Sequence, residues 1–467
     1  MGPCITARPC LGNCENRAKK RKPPILLVSY SANSCLVRLP AMAPLALFRC
    51  LCANHAWQRL IWTVLVLLFT AEAGYAQALF QFKPAWRNSV RTSFQLERNL
   101  VVIQARLNGY GPYNFMLDTG VGTSIITDPT LRDSLGLRIG QQYLVAGVGE
   151  EAPVVAFQSD SVRVELAEGR IAAAALPMLL LSNDVFDLSA YVGMPIHGIL
   201  GGDVFRHFVV EIEPESRQLI FRRPDKFKAP TGQKWAHLPI IIEGEKAYVE
   251  TQARLSDSTE VPLKLVLDTG AGHALSLETG SDARIKLPDQ RLRTHLGRGL
   301  SGDVHGYLGR VQSLRLGRYQ LSALLTSFPD NASVRARVSV PRNGNLGFEL
   351  LKRFHIIIDY PHNALLLRPN AQFRDPFEHD MCGLDLLATG TNFRNYVVHR
   401  VEAGSPAAQA NLQPNDEILS INLMPVGNMT LSQISRMLHS ADGRQLFLLV
   451  RRNGEMIATR LTLKRQI

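Results

Sequence analysis

The stretch Tyr113-Asn114-Phe115-Met116-Leu117-Asp118-Thr119-Gly120 and its counterpart Leu263-Lys264-Leu265-Val266-Leu267-Asp268-Thr269-Gly270 decide how this chain is read. Each is an apolar, strand-like run ending in Asp-Thr-Gly. A given tripeptide occurs by chance about 0.1 times in a chain of this length, so two copies behind two such runs mark a duplicated feature. Two carboxylates on rigid turns are what a water-activating pair requires. Like charges about 3 Å apart do not both ionise easily, so the pair holds one proton. The ionised member then takes a proton from water and the protonated member polarises a carbonyl. Such a pair titrates as a unit, and sequence alone assigns neither role to Asp118 or Asp268. Thr119 and Thr269 are placed to hydrogen-bond across the junction of the turns. Gly120 and Gly270 let backbone N–H groups approach the carboxylates where a Cβ would interfere.

Around these turns the chain repeats itself with a period near 150 residues, the length of a domain rather than of a solenoid unit. Leu100–Leu107 leads to the first Asp-Thr-Gly and Ala247–Leu255 to the second. Leu200-Gly201-Gly202-Asp203-Val204-Phe205 parallels Leu346-Gly347-Phe348-Glu349-Leu350-Leu351, and Val209–Glu213 parallels His355–Asp359. Each unit closes on an apolar strand and Arg-Pro, at Arg223-Pro224 and Arg368-Pro369. Short β-branched and aromatic runs broken by Gly, Pro and Asn predict a mostly β fold, with one helix per unit after Gly201 and after Gly347.

These landmarks resemble the aspartic proteases, pepsin-like in carrying two lobes on one chain and retropepsin-like in the compactness of each lobe. The resemblance spans about residues 95–370. It implies that Asp118 and Asp268 form the catalytic pair, that Thr119, Gly120, Thr269 and Gly270 support their turns, and that no cofactor or metal is needed. In that family a hydrophobic-hydrophobic-Gly segment passes behind each active-site turn. Ile199-Leu200-Gly201 fits, and Asn345-Leu346-Gly347 fits except for Asn345. Gly-containing flaps are expected at 146–149 and 297–302. Pepsin-like lobes often place Ser or Thr after Asp-Thr-Gly, where the hydroxyl favours the charged carboxylate. Val121 and Ala271 stand there instead, so maximal activity is expected at about pH 5–7 rather than in strong acid. The rival reading is a non-catalytic peptide-binding protein that keeps the fold.

Residues from about 378 onward follow another pattern and resemble a PDZ domain of the kind attached to bacterial exported proteases. The matching pieces are Gly383-Leu384-Asp385-Leu386 as the carboxylate-binding loop, Gly404-Ser405-Pro406-Ala407-Ala408, and the turn Asn415-Asp416-Glu417-Ile418. PDZ domains bind an extended peptide by strand addition. The negative charge of Asp385 disfavours a terminal carboxylate and leaves open an internal peptide or an intramolecular role. Met429–Leu438 reads as a helix, and Asn453-Gly454 as the turn of a closing hairpin.

The 46% hydrophobic and 20% charged content is that of ordinary globular material. Residues 1–76 hold nine Lys/Arg and two Asp/Glu, so +7 of the formal +12 lies there and the rest shows no basic stripe for nucleic acid. Arg59 precedes the apolar run Leu60–Phe69, which is of signal-peptide length, and small residues follow with cleavage expected after Ala76 or Ala78. The chain is therefore expected to be exported, to the periplasm or beyond. It would meet a membrane only if that segment stays uncleaved. Met42 is an alternative start. Six of the seven cysteines precede the expected cleavage, leaving Cys382 and no internal disulfide. The twelve histidines show no metal-ligand spacing. The expected organisation is a presequence over 1–78, a first lobe over 79–225, a linker over 226–236, a second lobe over 237–370, a linker over 371–377 and the PDZ domain over 378–467. The expected partners are a peptide or protein substrate and a peptide ligand for the PDZ domain.

Overall fold

The computed structural model describes residues 80–149, 151–299, 301–330 and 340–467. The expected export signal, its cleavage site and six of the cysteines lie outside the described residues, as does Leu300 of the second expected flap. The fold is mostly β, and no helix among the described residues is long and apolar enough to cross a membrane.

Each repeated unit is built on the same local logic. Leu100–Leu107 and Tyr110–Leu117 form a hairpin. Its connecting residues Asn108 and Gly109 take φ of 50° and 88°, the left-handed pair that Asn-Gly accepts readily. The strand Gly198–Leu200 then runs parallel to Phe115–Leu117, so that Leu200 O accepts from Asp118 N at 2.9 Å. In the second unit Lys246–Arg254 pairs with Glu260–Leu267, Gly344–Leu346 runs parallel to Leu265–Leu267, and Leu346 O accepts from Asp268 N at 3.0 Å. The short helices Gly202–His207 and Phe348–Leu351 follow where the Gly landmarks place them.

The units are joined by a shared sheet. Val209–Glu213 pairs with Phe354–Asp359, aligning Val210 with Ile358 and Ile212 with Ile356, which joins the two equivalent strands of the repeat antiparallel. Their side chains are almost wholly buried, and one apolar core runs through both units. Burial of this kind contributes roughly 25 cal/mol per Å² of apolar surface, and here it makes the two units one body.

The C-terminal region keeps a separate core around Tyr396, Leu412, Ile434 and Leu448. Its sheet runs Leu384–Thr389, Asn395–Val401, Glu417–Ile421, Gln445–Arg452, Glu455–Thr462. Thr430 caps the helix Leu431–Leu438: its hydroxyl accepts from Gln433 N at 3.2 Å, and Gln433 Oε1 accepts from Thr430 N at 2.7 Å. Leu431, Ile434 and Leu438 bury one face at helical spacing.

Arg353 fastens the segment between the second unit and the last domain. Its guanidinium is 1% exposed, donates to Pro376 O at 3.1 Å and to Asp375 O, pairs with Glu349 at 3.1 Å, and lies 3.6 Å from the Phe377 ring centre. Truncating one partner of a buried charged network typically costs about 3–5 kcal/mol. Arg353→Ala is therefore expected to lower the melting temperature and to open residues 371–377 to limited proteolysis. An unchanged cleavage pattern would show that the segment is held by other contacts.

Candidate active site

The two Asp-Thr-Gly turns meet face to face. Thr119 Oγ1 donates to Leu267 O at 2.6 Å and Thr269 Oγ1 donates to Leu117 O at 2.9 Å. Each hydroxyl also accepts the other turn's backbone N–H, at 3.0 Å in both directions. Both threonines are wholly buried, so no water competes for these bonds. The expected hydrogen bonds across the junction are present and run from one unit to the other.

The carboxylates sit directly above this lock. Asp118 Oδ1 accepts from Gly120 N at 2.6 Å and, across the junction, from Gly270 N at 3.1 Å. A Cβ on Gly120 would lie 2.8 Å from Asp268 Oδ1, and one on Gly270 would overlap the Asp118 carboxyl. Both glycines are thus required by close approach rather than by backbone angle. Asp118 is 8% exposed and Asp268 half-buried. Burial and the neighbouring Asp268 charge push the Asp118 pKa up to about 7, against the opposing pull of the Gly120 and Gly270 amides and of Lys246. One carboxyl that keeps its proton toward neutral pH beside a second one is the electrostatic state that a proton-sharing pair needs.

Three further residues shape the site. Asn345, the departure from the apolar pattern, donates from Nδ2 to Asp268 Oδ2 at 2.6 Å. Lys246 lines the same cavity, and burial lowers its pKa, with Arg342 adding to the effect. His273 is buried beside Asp268, its Nε2 is without a hydrogen-bond partner, and burial lowers its pKa. Only Asn345 left a trace in the sequence, as a polar residue at an apolar place.

The cavity above the carboxylates measures about 1410 Å³. It is roofed by the two expected flaps, which touch each other. Ser301 N donates to Val148 O at 3.1 Å, Gly147 N donates to Ser301 Oγ at 3.1 Å, and Glu151 N donates to Ser301 O at 2.6 Å. Ser301 is 1% exposed. The cavity continues to the last domain, where it is lined by Leu384, Asp385 and Leu386 of the expected binding loop. Gly383 takes φ of 74°, and its N–H and that of Cys382 are held by the Asp380 carboxylate. Asp385 Oδ2 lies 4.0 Å from His295 Nδ1 on the second unit's flap strand, and burial lowers the His295 pKa, so the imidazole is a neighbour that disfavours its own charge. Strand Leu384–Thr389 ends its sheet, and the helix Leu188–Val192 of the first unit packs against it. Arg98 Nη2 donates to Leu386 O at 3.3 Å and Arg98 N to Ser432 Oγ at 3.1 Å.

Away from the cavity, the interunit strand pairing brings Glu211, Glu213 and His355 together, a contact invisible to sequence spacing. Glu211 is already engaged there by Arg222 at 2.8 Å and His355 at 2.6 Å, which makes the group an ion-pair cluster.

Residues 103–204 and 251–350 match the aspartyl protease family, and residues 397–452 match the PDZ domain. The chain thus carries an aspartyl protease domain in two parts followed by a C-terminal PDZ domain. Among solved structures, the photosystem II D1 C-terminal processing protease is 23% identical over 17% of this chain and 22% of its own, with a TM-score of 0.17. The matched part is thus about a fifth of that protein's length. Basic 7S globulin from soybean is 9% identical over 62% of this chain and 97% of its own, with a TM-score of 0.36. Neither likeness is close enough to bear on function. No curated protein matches the chain.

The raised Asp118 pKa has a stability consequence. Below about pH 4 the carboxyl is protonated in both folded and unfolded chains. As pH rises toward 7 the unfolded chain gives up this proton while the folded one retains it, so stability is lost across that interval. Asp118→Asn, which mimics the protonated form, is expected to melt several degrees above the parent at pH 8 and level with it at pH 3.5. Equal melting temperatures at both pH values would contradict the burial argument.

Proposed function

We propose that this protein is an exported, bilobal, retropepsin-like aspartic endopeptidase whose PDZ domain receives a peptide or protein segment. The observation that carries the catalytic reading is the meeting of two Asp-Thr-Gly carboxylates on interlocked turns, with Gly270 N–H reaching Asp118 across the junction. Water between the carboxyls is the nucleophile. One carboxylate accepts a water proton as the C–O bond forms, and the other donates its proton to the carbonyl oxygen. Collapse of the tetrahedral diol breaks the C–N bond and passes a proton to the leaving amine. Asp118 and Asp268 are the catalytic residues of this reading, and Thr119, Gly120, Thr269 and Gly270 hold them in place.

The touching flaps support a cleft that opens for an extended chain and closes over it. Export is supported by the Arg59–Ala78 segment. Peptide binding by the last domain is supported by the unpaired edge strand Leu384–Thr389, with the condition that a peptide adding a strand there replaces Arg98 at Leu386 O and displaces the helix Leu188–Val192 packed against it.

The test is hydrolysis of unfolded casein by the full chain. Cleavage inhibited by pepstatin, and reduced about a hundredfold or more by Asp118→Asn or Asp268→Asn, is the expected result. Cleavage that both treatments leave unchanged would sink the assignment. The pH profile is a separate expectation. One carboxyl must be charged and one protonated, and Asp118 holds its proton to about pH 7. The rate is expected to peak at about pH 5–7 and to fall above this as the shared proton is lost. A maximum below pH 3 would rule out this view of the pair.

A further inference from the structure

We infer that Asn345 breaks the symmetry of the carboxyl pair, holding Asp268 as the ionised member and leaving the shared proton on Asp118. The inference rests on the catalytic reading above and adds the role of each carboxyl. Its starting point is a difference between equivalent positions. Gly198–Leu200 and Gly344–Leu346 pass behind the two turns in the same register, so that Ile199 stands beside Met116 and Asn345 beside Val266. Each partner lies two residues before its aspartate. In the first unit this place holds an apolar side chain with nothing to offer a carboxylate. In the second it holds an amide whose Nδ2 is 2.6 Å from Asp268 Oδ2. An amide nitrogen only donates, and a donor aimed at a carboxylate favours its charged form.

The surroundings agree. Asp118 is the more buried carboxyl, which disfavours its charge. Its two amide donors, Gly120 N and Gly270 N, favour its charge, but both converge on Oδ1 and leave Oδ2 for the proton, and burial with the neighbouring Asp268 charge outweighs them. The other titratable groups facing the pair are Lys246, Tyr360 and His273. Lys246 and Tyr360 act on both carboxyls. His273 acts on Asp268, but burial disfavours its charged form. Arg342 and Glu245 act on Lys246. Asn345 is therefore the uncharged side chain whose donor acts on Asp268, at the place where the first unit has Ile199. In the reaction, Asp268 takes the water proton while Asp118 gives its proton to the carbonyl oxygen. On collapse, Asp268 passes its proton to the amine and Asp118 is reprotonated from the diol. Asn345 is a positioning residue in this scheme, since it acts on the charge of Asp268.

The experiment compares the full chain with Asn345→Ile, which copies Ile199, and Asn345→Ala. Initial rates on fluorescein-labelled casein at low substrate are followed from pH 3 to 9. If Asp268 is the ionised member, losing the amide raises the ionisation that starts activity and leaves the later loss of the Asp118 proton untouched. The acidic limb is then expected to move up by about one pH unit, a tenfold change in the protonation constant, with the basic limb fixed. Movement of the basic limb alone would place the charge on Asp118, with the amide turned to accept from protonated Asp268, and would overturn the inference. So would a profile that moves at neither end. Melting temperatures at pH 3 and 7 give a reading independent of catalysis. The amide stabilises charged Asp268, so its contribution is present at pH 7 and lost as the carboxylate protonates in acid. Both variants should therefore fall further below the parent at pH 7 than at pH 3. If the parent cleaves nothing while this difference persists, the endopeptidase reading fails and the charge assignment stands. If the difference is absent, the charge assignment fails.

Discussion

The crossed threonine bonds under the two carboxylates are the constraint from which the rest of the site follows. Each hydroxyl of Thr119 and Thr269 donates to a carbonyl of the opposite unit and accepts from the opposite N–H. In a wholly buried place every such group must find a partner or incur the full cost of desolvation, about 1–3 kcal/mol each. Neither turn can satisfy itself alone. One unit without the other would expose a hydroxyl, an N–H and a carbonyl on a hydrophobic surface. The need for a second Asp-Thr-Gly is therefore a matter of hydrogen bonding before it is one of catalysis. The shared sheet of Val209–Glu213 and Phe354–Asp359 brings the turns into range.

Much of this was legible in the sequence because it is encoded locally. The apolar runs before Asp118 and Asp268, the helices after Gly201 and Gly347, the helix within Met429–Leu438 and the Asn453-Gly454 turn each depend on residues a few positions apart. The unit-to-unit threonine lock was also legible, because the repeat supplies both halves in the same setting. What sequence did not disclose depends on closure in three dimensions. Asn345 read as a weakened apolar landmark, since nothing local says that its amide faces a carboxylate. Ser301 read as part of a Gly-containing tip, and its burial follows only from the other tip resting on it. Asp385 stood out as a charge in a carboxylate-binding loop, but its neighbour His295 lies 90 residues earlier on another unit.

The last domain is coupled to the site by geometry as well as by sharing its cavity. Arg98 and Asn99 form a turn in which both residues take positive φ, 48° and 63°. Such angles are uncommon for Arg and persist where surrounding contacts hold them. Arg98 is held by Leu386 O and Ser432 Oγ of the last domain, and its guanidinium lies 4.4 Å from the Tyr191 ring centre. Asn99 Nδ2 donates at 3.0 Å to Gly272 O, two residues past Gly270, and its Oδ1 accepts from Lys352 at 2.9 Å. One two-residue turn thus touches the edge strand of the last domain on one side and the second aspartate's loop on the other.

Duplication by itself would yield two equivalent carboxyls, and equivalent carboxyls have no reason to divide the work of acid and base. The differences between the halves are therefore where mechanism enters. The pairing that leads to each aspartate sets Val102 opposite Met116 and Tyr248 opposite Val266, so Lys246 answers to Leu100 of the first unit. At that place the first unit has an apolar side chain and the second a cation. Lys246 remains beside the carboxylates, where its charge favours an anion on the pair as a whole. With one cation near the pair instead of two, a single net negative charge is matched and a second is not. Lys246 thus favours the monoanion over the fully protonated pair, and the Asn345 amide decides which of the two carboxyls bears it. A repeat that had carried a second cation beside the pair and an apolar residue at 345 would have retained the same threonine lock. Its pair would have been both more fully ionised and more evenly shared, and a pair of that kind has no spare proton for the carbonyl oxygen.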